Sequence, residues 1–267
     1  MIRYAILGGV EVTNGDRVFT PTAPKVRQVL ALLLLRTNRL VQADAVIEEL
    51  WGDSPPKSAL ITAQTYIYQL RKLIKQEGLA PEGSELLVSR PTGYRLQIEP
   101  QQLDVHIFEE LLSLGRQLLA EGRPQAASQR LQEALDLWSG PPLANISHGS
   151  LLSPYAIHLE EQRLRALELR IQADVKLSRE RELIGELRSL VVTYPLNEWF
   201  HGQLIGALHR AGRRGEAFEA YHRVRSVLCR ELGVDPSPEL QRLHQEVLTA
   251  GAPARPVAAH SSAAGRL

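Results

Sequence analysis

The 267-residue sequence predicts a mainly α-helical protein with a small β part. Two features of the first hundred residues support this prediction. Short strand-like segments alternate there with helical patterns, and one amphipathic helix is followed by a short basic hairpin. From Asp104 onward, the apolar pattern is almost continuously helical. We therefore expect an N-terminal winged helix-turn-helix domain over residues 1–100, followed by an all-α domain over residues 104–249.

The composition is that of a globular protein, with 44% apolar and 23% charged residues. Cys229 is the only cysteine, so an internal disulfide is impossible, and a reducing cytoplasm is the expected compartment. The apolar neighbours of Cys229 predict a packed thiol. The longest apolar run, residues 29–35, is much shorter than the roughly 20 residues that cross a bilayer, so no membrane contact is expected. The net charge of +1 does not indicate a partner.

The first hundred residues contain the elements of a winged helix-turn-helix in order. Alternating apolar residues and an Asn14-Gly15 turn signal predict a small antiparallel sheet. Pro24 suits the first turn of a helix, and Gly52 is placed to end the next one. A turn with two prolines precedes a third helix, for which Ser58 is the expected N-cap. The predicted strands are 3–7, 10–13 and 17–20, and the predicted helices are 24–36, 42–51 and 58–76.

The third predicted helix has an apolar back and a polar front. The front has no acidic residue, and its side chains are types that hydrogen-bond to DNA bases and phosphates. Tyr66 lies at the edge of this front. Because Tyr66 and Tyr68 straddle the apolar stripe, at least one of them should reach solvent or DNA. At 100° per residue, the back carries Ala63, Ile67, Leu70 and Ile74, and the front carries Thr62, Thr65, Gln69, Lys72 and Gln76.

A basic hairpin follows this helix. The segment Arg90-Pro91-Thr92-Gly93-Tyr94-Arg95 is predicted to form the tip and the return strand of a wing, and residues 86–98 contain two arginines and no acid. Local basic clusters attract phosphates even when the whole chain is nearly neutral. Considered alone, the front of the third helix could be an ordinary solvated surface. The basic hairpin that follows it favours DNA recognition.

Seven helices are predicted in the second half, with two joints of similar sequence. Each joint is a Gly-Arg turn followed by a small residue that enters the next helix, as in tetratricopeptide-like hairpins. With only two such joints, at 121–127 and 211–217, a generic α-helical bundle remains an alternative. Residues 250–267 are predicted to be a disordered tail, since they lack an apolar period. The predicted helices are 105–121, 123–138, 155–177, 179–194, 199–210, 215–232 and 238–249.

No sequence pattern indicates catalysis or metal binding. The chain has no phosphate-binding P-loop, no HExxH motif and no cysteine–histidine zinc pattern. We therefore expect no enzyme activity, no catalytic residue, no cofactor and no metal site.

Several segments resemble the Streptomyces antibiotic regulatory protein family in order and spacing. In the first half they are KVRQVLALL (25–33), LWGDSPP (50–56), QLRKL (69–73) and RPTGYRL (90–96). In the second half they are DVHIF (104–108), LDLWSGPPL (135–143), EAFEAY (216–221) and ELGVDPSPEL (231–240). The resemblance covers residues 2–249. It implies an OmpR-like winged helix joined to a bacterial transcriptional activation domain of tetratricopeptide-like helices.

The resemblance also implies a function and partners. Members of this family are transcriptional activators of secondary-metabolite genes, including those of antibiotic biosynthesis. They bind direct repeats near the promoter −35 region and recruit RNA polymerase. We therefore expect double-stranded promoter DNA and RNA polymerase holoenzyme as partners, with protomers side by side, head to tail, on the DNA. The expected location is the cytoplasm, at the nucleoid.

The family's DNA-contacting positions can be transferred to this sequence. Gln69 and Tyr66 occupy positions where the family often has Arg or His, and Gln favours adenine over the guanine that Arg prefers. The resemblance implies base contacts from Thr62, Thr65, Tyr66 and Gln69, backbone contacts from Arg71 and Lys72, wing contacts from Arg90, Thr92 and Arg95, and phosphate contacts from Lys25 and Arg27.

The turn between the second and third helices is the candidate polymerase contact. It contains two charged residues, Asp53 and Lys57, in an exposed loop over residues 52–57. An ordinary solvent-exposed loop is the alternative interpretation.

A different class of function remains open for the helical half. It would be a scaffold that binds a peptide or protein, and the affinity for DNA would then be incidental. An enzyme whose site these motifs do not reveal is a third hypothesis.

Overall fold

The computed structural model describes residues 2–80 and 85–249. The predicted tail, residues 250–267, therefore lies outside the described residues. Over the described ranges, no helix combines the length and the apolar character that crossing a bilayer requires.

The chain begins with a three-stranded antiparallel sheet, ordered β1-β2-β3. The strands are β1 (Ile2–Ala5), β2 (Glu11–Asn14) and β3 (Arg17–Phe19). β2 and β3 are joined through the predicted turn at Asn14 and Gly15, with Asn14 opposite Arg17. The three predicted strands are confirmed, with ends that differ by at most two residues.

Three helices and a second small sheet complete the winged helix-turn-helix. The helices are α1 (Pro24–Leu35), α2 (Ala43–Trp51) and α3 (Ala59–Gln76). The sheet has the order β4-β6-β5, from β4 (Val41–Gln42), β5 (Leu87–Arg90) and β6 (Gly93–Leu96). The wing is the β5–β6 hairpin, as predicted. β4 was not predicted, because a strand of two residues is too short to show alternation.

Ser58 occupies the N-cap position of α3, as predicted. The Ser58 side chain makes no capping hydrogen bond. Its carbonyl instead accepts from the Thr62 backbone N–H at 2.9 Å and from the Thr62 hydroxyl at 3.0 Å. The start of α3 is therefore fixed by its first turn and by packing of Ala59, which is buried.

The packing of α3 decides which of its faces is free. Ala63, Ile67 and Leu70 are buried against α1 and α2. Residues 28–34 of α1 are all buried, as expected of a central core helix. Burying a side chain such as Ile67 or Leu70 stabilises the fold by roughly 1.5–3 kcal/mol. The orientation of α3 about its own axis is thus determined by its apolar back.

The rest of the chain is helical, as predicted. A short 3₁₀ turn, Pro100–Gln102, precedes it. Gly122 and Gly212 have φ values of 72° and 76°, so both Gly-Arg joints use a left-handed glycine at the helix end. The expected packing of Cys229 is wrong, since this residue is exposed. The helices are α4 (Asp104–Ala120), α5 (Pro124–Leu135), α6 (Leu152–Lys176), α7 (Glu180–Thr193), α8 (Glu198–Arg210), α9 (Arg214–Leu232) and α10 (Pro238–Thr249).

The described residues form two compact units that divide between Ala173 and Asp174. The first unit contains the winged helix-turn-helix together with α4, α5 and most of α6. The second contains the remaining helices, α7 to α10. The boundary predicted from the sequence, near residues 100–104, lies inside the first unit.

Asp104, at the start of α4, joins the helical segment to the N-terminal sheet. The backbone N–H groups of Ile6 and Leu7 each donate to its Oδ2 atom at 2.8 Å. The N–H of Val105 donates to Oδ1 at 2.8 Å. Burial raises the pKa of the Asp104 carboxyl to about 6, although these backbone N–H donors act in the opposite direction. The carboxyl thus satisfies backbone groups that would otherwise be left unpaired at the end of β1.

The loop between α5 and α6 continues this junction. The N–H groups of Ser139 and Leu143 donate to the carbonyls of Leu7 and Ile6, each at 3.0 Å. The Asn145 side chain accepts from the Val10 N–H at 2.7 Å and donates to the Val10 carbonyl at 3.3 Å. These pairs have sequence separations of more than 130 residues, so the loop is a fixed part of the first unit and not a free linker.

Glu49, on α2, binds the end of the same loop. Its side chain is only 2% exposed. The N–H of Gly149 donates to Oε1 at 2.6 Å, and those of Leu151 and Leu152 donate to Oε2 at 2.9 and 3.0 Å. Gln28 of α1 also donates to Oε1, at 2.8 Å. Glycine is needed at position 149, because a Cβ there would lie 2.2 Å from the Glu49 carbonyl oxygen.

Asp104 should make stability depend on pH in a defined direction. Its pKa is raised above the ordinary value of 3.8, so the folded state binds its proton more tightly than the unfolded state. The stabilisation from this group is complete below about pH 4 and is lost as the pH rises through about 6. Relative to an Asp104→Asn variant, the wild type should lose about 2 kcal/mol of unfolding free energy between about pH 4 and pH 7. Denaturant unfolding of both proteins across this range is the measurement. A difference that stays constant with pH would contradict the raised pKa.

Replacement of Glu49 should weaken the first unit, whereas replacement of its neighbour should not. Glu49→Gln places an amide group against backbone N–H donors, so we expect a loss of about 1–3 kcal/mol in unfolding free energy. The control is Glu48→Gln: the Glu48 side chain is exposed and accepts a hydrogen bond from the Ser150 hydroxyl at 2.8 Å. The Glu48→Gln variant should lose less than about 0.5 kcal/mol of unfolding free energy. Equal losses in both variants, measured by denaturant unfolding, would show that the Glu49 contacts contribute nothing specific.

Candidate nucleic-acid interface

The front of α3 is an exposed surface without acidic residues. Thr65, Gln69 and Lys72 are exposed, as the sequence predicted. Gln64 and Gln76 are also exposed on this side of the helix. The buried back of α3 and this polar front give the helix the two faces that groove recognition requires.

Two of the expected base-contacting residues lie on the flank of α3 that faces α2. Thr62 is half-buried, and its hydroxyl donates to the Ser58 carbonyl. Tyr66 is half-buried, and its ring stacks on Trp51 with a centroid distance of 6.4 Å and an interplanar angle of 20°. Both residues border the front and do not form its centre.

Tyr68 is the aromatic residue that reaches solvent, and it was missing from the transferred contact positions. Its side chain is 66% exposed, and Ile61, about two helical turns earlier on the same side of α3, is 67% exposed. At 100° per residue, positions 61, 65, 68 and 72 fall within a narrow arc of the helix surface. The sequence shows this periodicity, but an exposed position was not predicted for Ile61 because its side chain is apolar.

Arg71 holds the wing against α3. Its Nε and Nη2 atoms each donate to the Leu87 carbonyl at 3.1 Å, and Nη2 also donates to the Ser89 hydroxyl at 2.8 Å. Glu85 lies 3.8 Å from the same Nη2 atom. A planar guanidinium suits this two-atom contact with one carbonyl. Arg71 therefore fixes the position of β5 relative to the recognition face.

The wing presents part of its basic set to solvent. Arg90 and Thr92 are exposed in the hairpin, whereas Arg95 is half-buried. The Ala43 N–H, at the start of α2, donates to the Thr92 carbonyl at 3.0 Å, which ties the wing tip to α2. A polar cleft of about 530 Å³ separates the wing from the first turns of α2 and α3.

Lys25 and Arg27 have partners inside the protein. The Lys25 Nζ atom donates to the Leu50 carbonyl at 2.6 Å, so it satisfies the end of α2. The Arg27 Nη1 atom donates to the Asn145 carbonyl at 2.6 Å, and Nε donates to the Pro21 carbonyl at 3.1 Å. The structure thus gives both cations packing roles in the first unit, and neither projects freely from α1.

The turn between α2 and α3 is fully exposed. Residues 52–58, including Asp53 and Lys57, are all accessible to solvent. Within residues 2–80 and 85–249, neither Asp53 nor Lys57 forms an ion pair. The loop is therefore available for contact with another macromolecule.

Two exposed cations, Lys72 and Arg90, contribute positive charge to the interface, whereas Arg71 lies 3.8 Å from Glu85. Over the part of the chain that the structure describes, no carboxylate forms an ion pair with Lys72 or Arg90. α3 has no acidic residue between Ala59 and Gln76. The same described part contains no cluster of three or more His, Cys, Asp or Glu side chains that could hold a metal ion. The arrangement suits binding to a polyanion.

Comparison with known families defines the class of protein. Residues 19–96 match the family model described as "Transcriptional regulatory protein, C terminal", which is the OmpR-like DNA-binding domain. Residues 103–248 match the "Bacterial transcriptional activator domain". The chain is therefore a DNA-binding transcriptional activator.

Individual relatives narrow this class to one family. Regulatory protein DnrI of Streptomyces peucetius is 41% identical over 240 residues, which cover 89% of this chain and 88% of DnrI. Transcriptional regulator RedD of Streptomyces coelicolor is 36% identical over 92% of this chain and 70% of RedD. This chain belongs to the Streptomyces antibiotic regulatory protein family, whose members are transcriptional regulators and not enzymes.

Longer relatives share the same two-part arrangement. Regulatory protein AfsR of Streptomyces griseus is 35% identical over 93% of this chain, which corresponds to 25% of AfsR. The structure of Mycobacterium tuberculosis EmbR in complex with low affinity phosphopeptide has a TM-score of 0.85 and 33% identity. It covers 92% of this chain and 65% of the EmbR chain. These matches confirm the predicted fold class.

Proposed function

We propose that this protein activates secondary-metabolite genes by binding direct repeats near the promoter −35 region and recruiting RNA polymerase holoenzyme. The observation that carries the proposal is the arrangement of α3, with a buried apolar back and an exposed front that has no acidic residue. Family membership supports the class of target genes. A regulator of this kind would act in the cytoplasm, at the nucleoid.

We assign the DNA contacts according to exposure. Thr65 and Gln69 face the bases, and Gln69 favours adenine. Lys72, Arg90 and Thr92 meet phosphates on either side of the groove. In this proposal, the remaining positions support these contacts from beneath, by holding the wing, α1 or the flank of α3. They are Lys25, Arg27, Thr62, Tyr66, Arg71 and Arg95.

Direct repeats determine how protomers are arranged. Two sites in the same orientation place two protomers head to tail, without a two-fold axis between them. We propose this side-by-side binding, with residues 1–100 on the DNA and residues 104–249 forming the activation domain. A footprint on the promoters beside the gene should therefore show two repeats in the same direction.

Binding to a promoter duplex chosen by such a footprint tests the recognition face. Gln69→Ala should cost about 1–3 kcal/mol on that duplex, because a base contact is lost, and little on unrelated DNA. Lys72→Ala should weaken binding to both duplexes and reduce the slope of log affinity against log salt by about one. Affinities are measured by gel shift or fluorescence anisotropy over a range of salt concentrations.

The matched control for Gln69 is Gln101→Ala, since Gln101 is exposed in the 3₁₀ turn and lies outside α3. It should bind both duplexes like the wild type. Unchanged binding by both Gln69→Ala and Lys72→Ala would refute α3 as the recognition element. Affinity that does not depend on salt would favour the alternative, a protein-binding scaffold with incidental DNA affinity.

We also propose that the α2–α3 loop contacts RNA polymerase. Asp53 and Lys57 are exposed there and have no ion-pair partner among the described residues. The loop lies beside the recognition helix, and an exposed site at this place remains accessible to polymerase bound to the neighbouring promoter segment.

Variants of this loop should separate activation from DNA binding. Asp53→Ala and Lys57→Ala should each reduce activated transcription several-fold with purified polymerase holoenzyme, while the promoter affinity stays within about twofold of wild type, since neither lies on the α3 front. Asp16→Ala is the matched control, because Asp16 is an equally exposed carboxylate in the β2–β3 turn. Loss of DNA affinity in the loop variants, or full activation by them, would contradict this role.

A further inference from the structure

The α3 front carries two exposed apolar side chains beside its polar ones, which a purely polar recognition face does not explain. Ile61 and Tyr68 lie one above the other on this face, with exposed fractions of 67% and 66%. Thr65 lies between them, and its hydroxyl donates to the Ile61 carbonyl at 2.9 Å. Because that donor is already used, Thr65 offers an outside partner its methyl group and its oxygen lone pairs. We call Ile61, Thr65 and Tyr68 the apolar row.

The apolar row is continuous with the proposed DNA contacts. Lys72 extends the same line toward the end of α3, and Gln64 and Gln69 flank it on either side. Side chains at the centre of a recognition helix meet base edges, whereas those at its margins meet phosphates. The 5-methyl group of thymine is the one apolar group that a base pair presents in the major groove.

We infer that the apolar row recognises thymine 5-methyl groups, so that the binding site is defined by thymines in addition to the adenine favoured by Gln69. This inference rests on the proposed function, since it requires α3 to lie in the major groove. The row contains no arginine, the residue that forms the commonest specific contact with guanine. Specificity would then come from shape and burial more than from charged hydrogen bonds.

Deoxyuridine provides the test, because it pairs like thymine but lacks the methyl group. A binding site is first selected with the whole 267-residue chain from random duplex DNA, and each thymine of that site is then replaced in turn. We expect at least one replacement to weaken binding about fourfold, the effect of losing burial of one methyl-sized group. Ile61→Ala or Tyr68→Ala should lose a similar factor on the thymine duplex and show no further loss on the corresponding deoxyuridine duplex.

Two control variants isolate the contact. Tyr68→Phe keeps the ring and should retain the thymine preference. Ile157→Ala removes an isoleucine of matched exposure, 63%, on α6, and should behave as the wild type on every duplex.

The outcomes separate this inference from the function on which it rests. If a sequence is selected and every deoxyuridine duplex binds as tightly as its thymine counterpart, the inference is overturned and DNA recognition by this protein stands. If deoxyuridine weakens binding equally in the wild type, Ile61→Ala and Tyr68→Ala, the methyl groups act through DNA shape and the inference is again overturned. If no sequence is enriched, the proposed function fails as well.

Discussion

Burial of the apolar back of α3 is the constraint on which the recognition surface depends. A helix packed through Ala63, Ile67 and Leu70 against α1 and α2 has only one orientation about its axis, and the opposite face must then meet solvent. That face has no acidic residue and is bordered by the cations Lys72 and Arg90. The chemistry of DNA binding thus follows from a packing requirement, because the same contacts that stabilise the winged helix-turn-helix also decide which side chains are available to a groove.

Hydrogen bonds between polar side chains and backbone groups join further segments to the winged helix-turn-helix. Asp104 and Asn145 satisfy backbone atoms of the N-terminal sheet and the segment after it, and Glu49 satisfies the N–H groups that precede and open α6. Each of these hydrogen bonds joins residues about 100 or more positions apart in the sequence. The first compact unit accordingly continues to Ala173. α4 and α5 therefore belong to the same unit as the recognition helix, and the binding surface is fixed relative to them.

The sequence predicted the elements well because periodicity is a local property. All ten α-helices of the described ranges were expected, whereas β4, with two residues, and the 3₁₀ turn Pro100–Gln102 were missed. The functions of individual cations were harder to predict. A lysine or arginine donates equally well to a phosphate or to a carbonyl, and the partners of Arg27 and Arg71 lie on segments whose positions only the fold determines. Likewise, the transferred contact positions include Tyr66, whose ring stacks on Trp51 of α2, and omit Tyr68, whose side chain is exposed.

The structure of the 267-residue protein bound to a duplex of its selected site would show which surface reads DNA. We expect α3 to lie in the major groove, with Thr65 and Gln69 directed at base edges, and the wing with Arg90 to lie along the adjacent phosphates. A complex in which DNA contacts a different surface, and α3 remains open to solvent, would refute α3 as the recognition element.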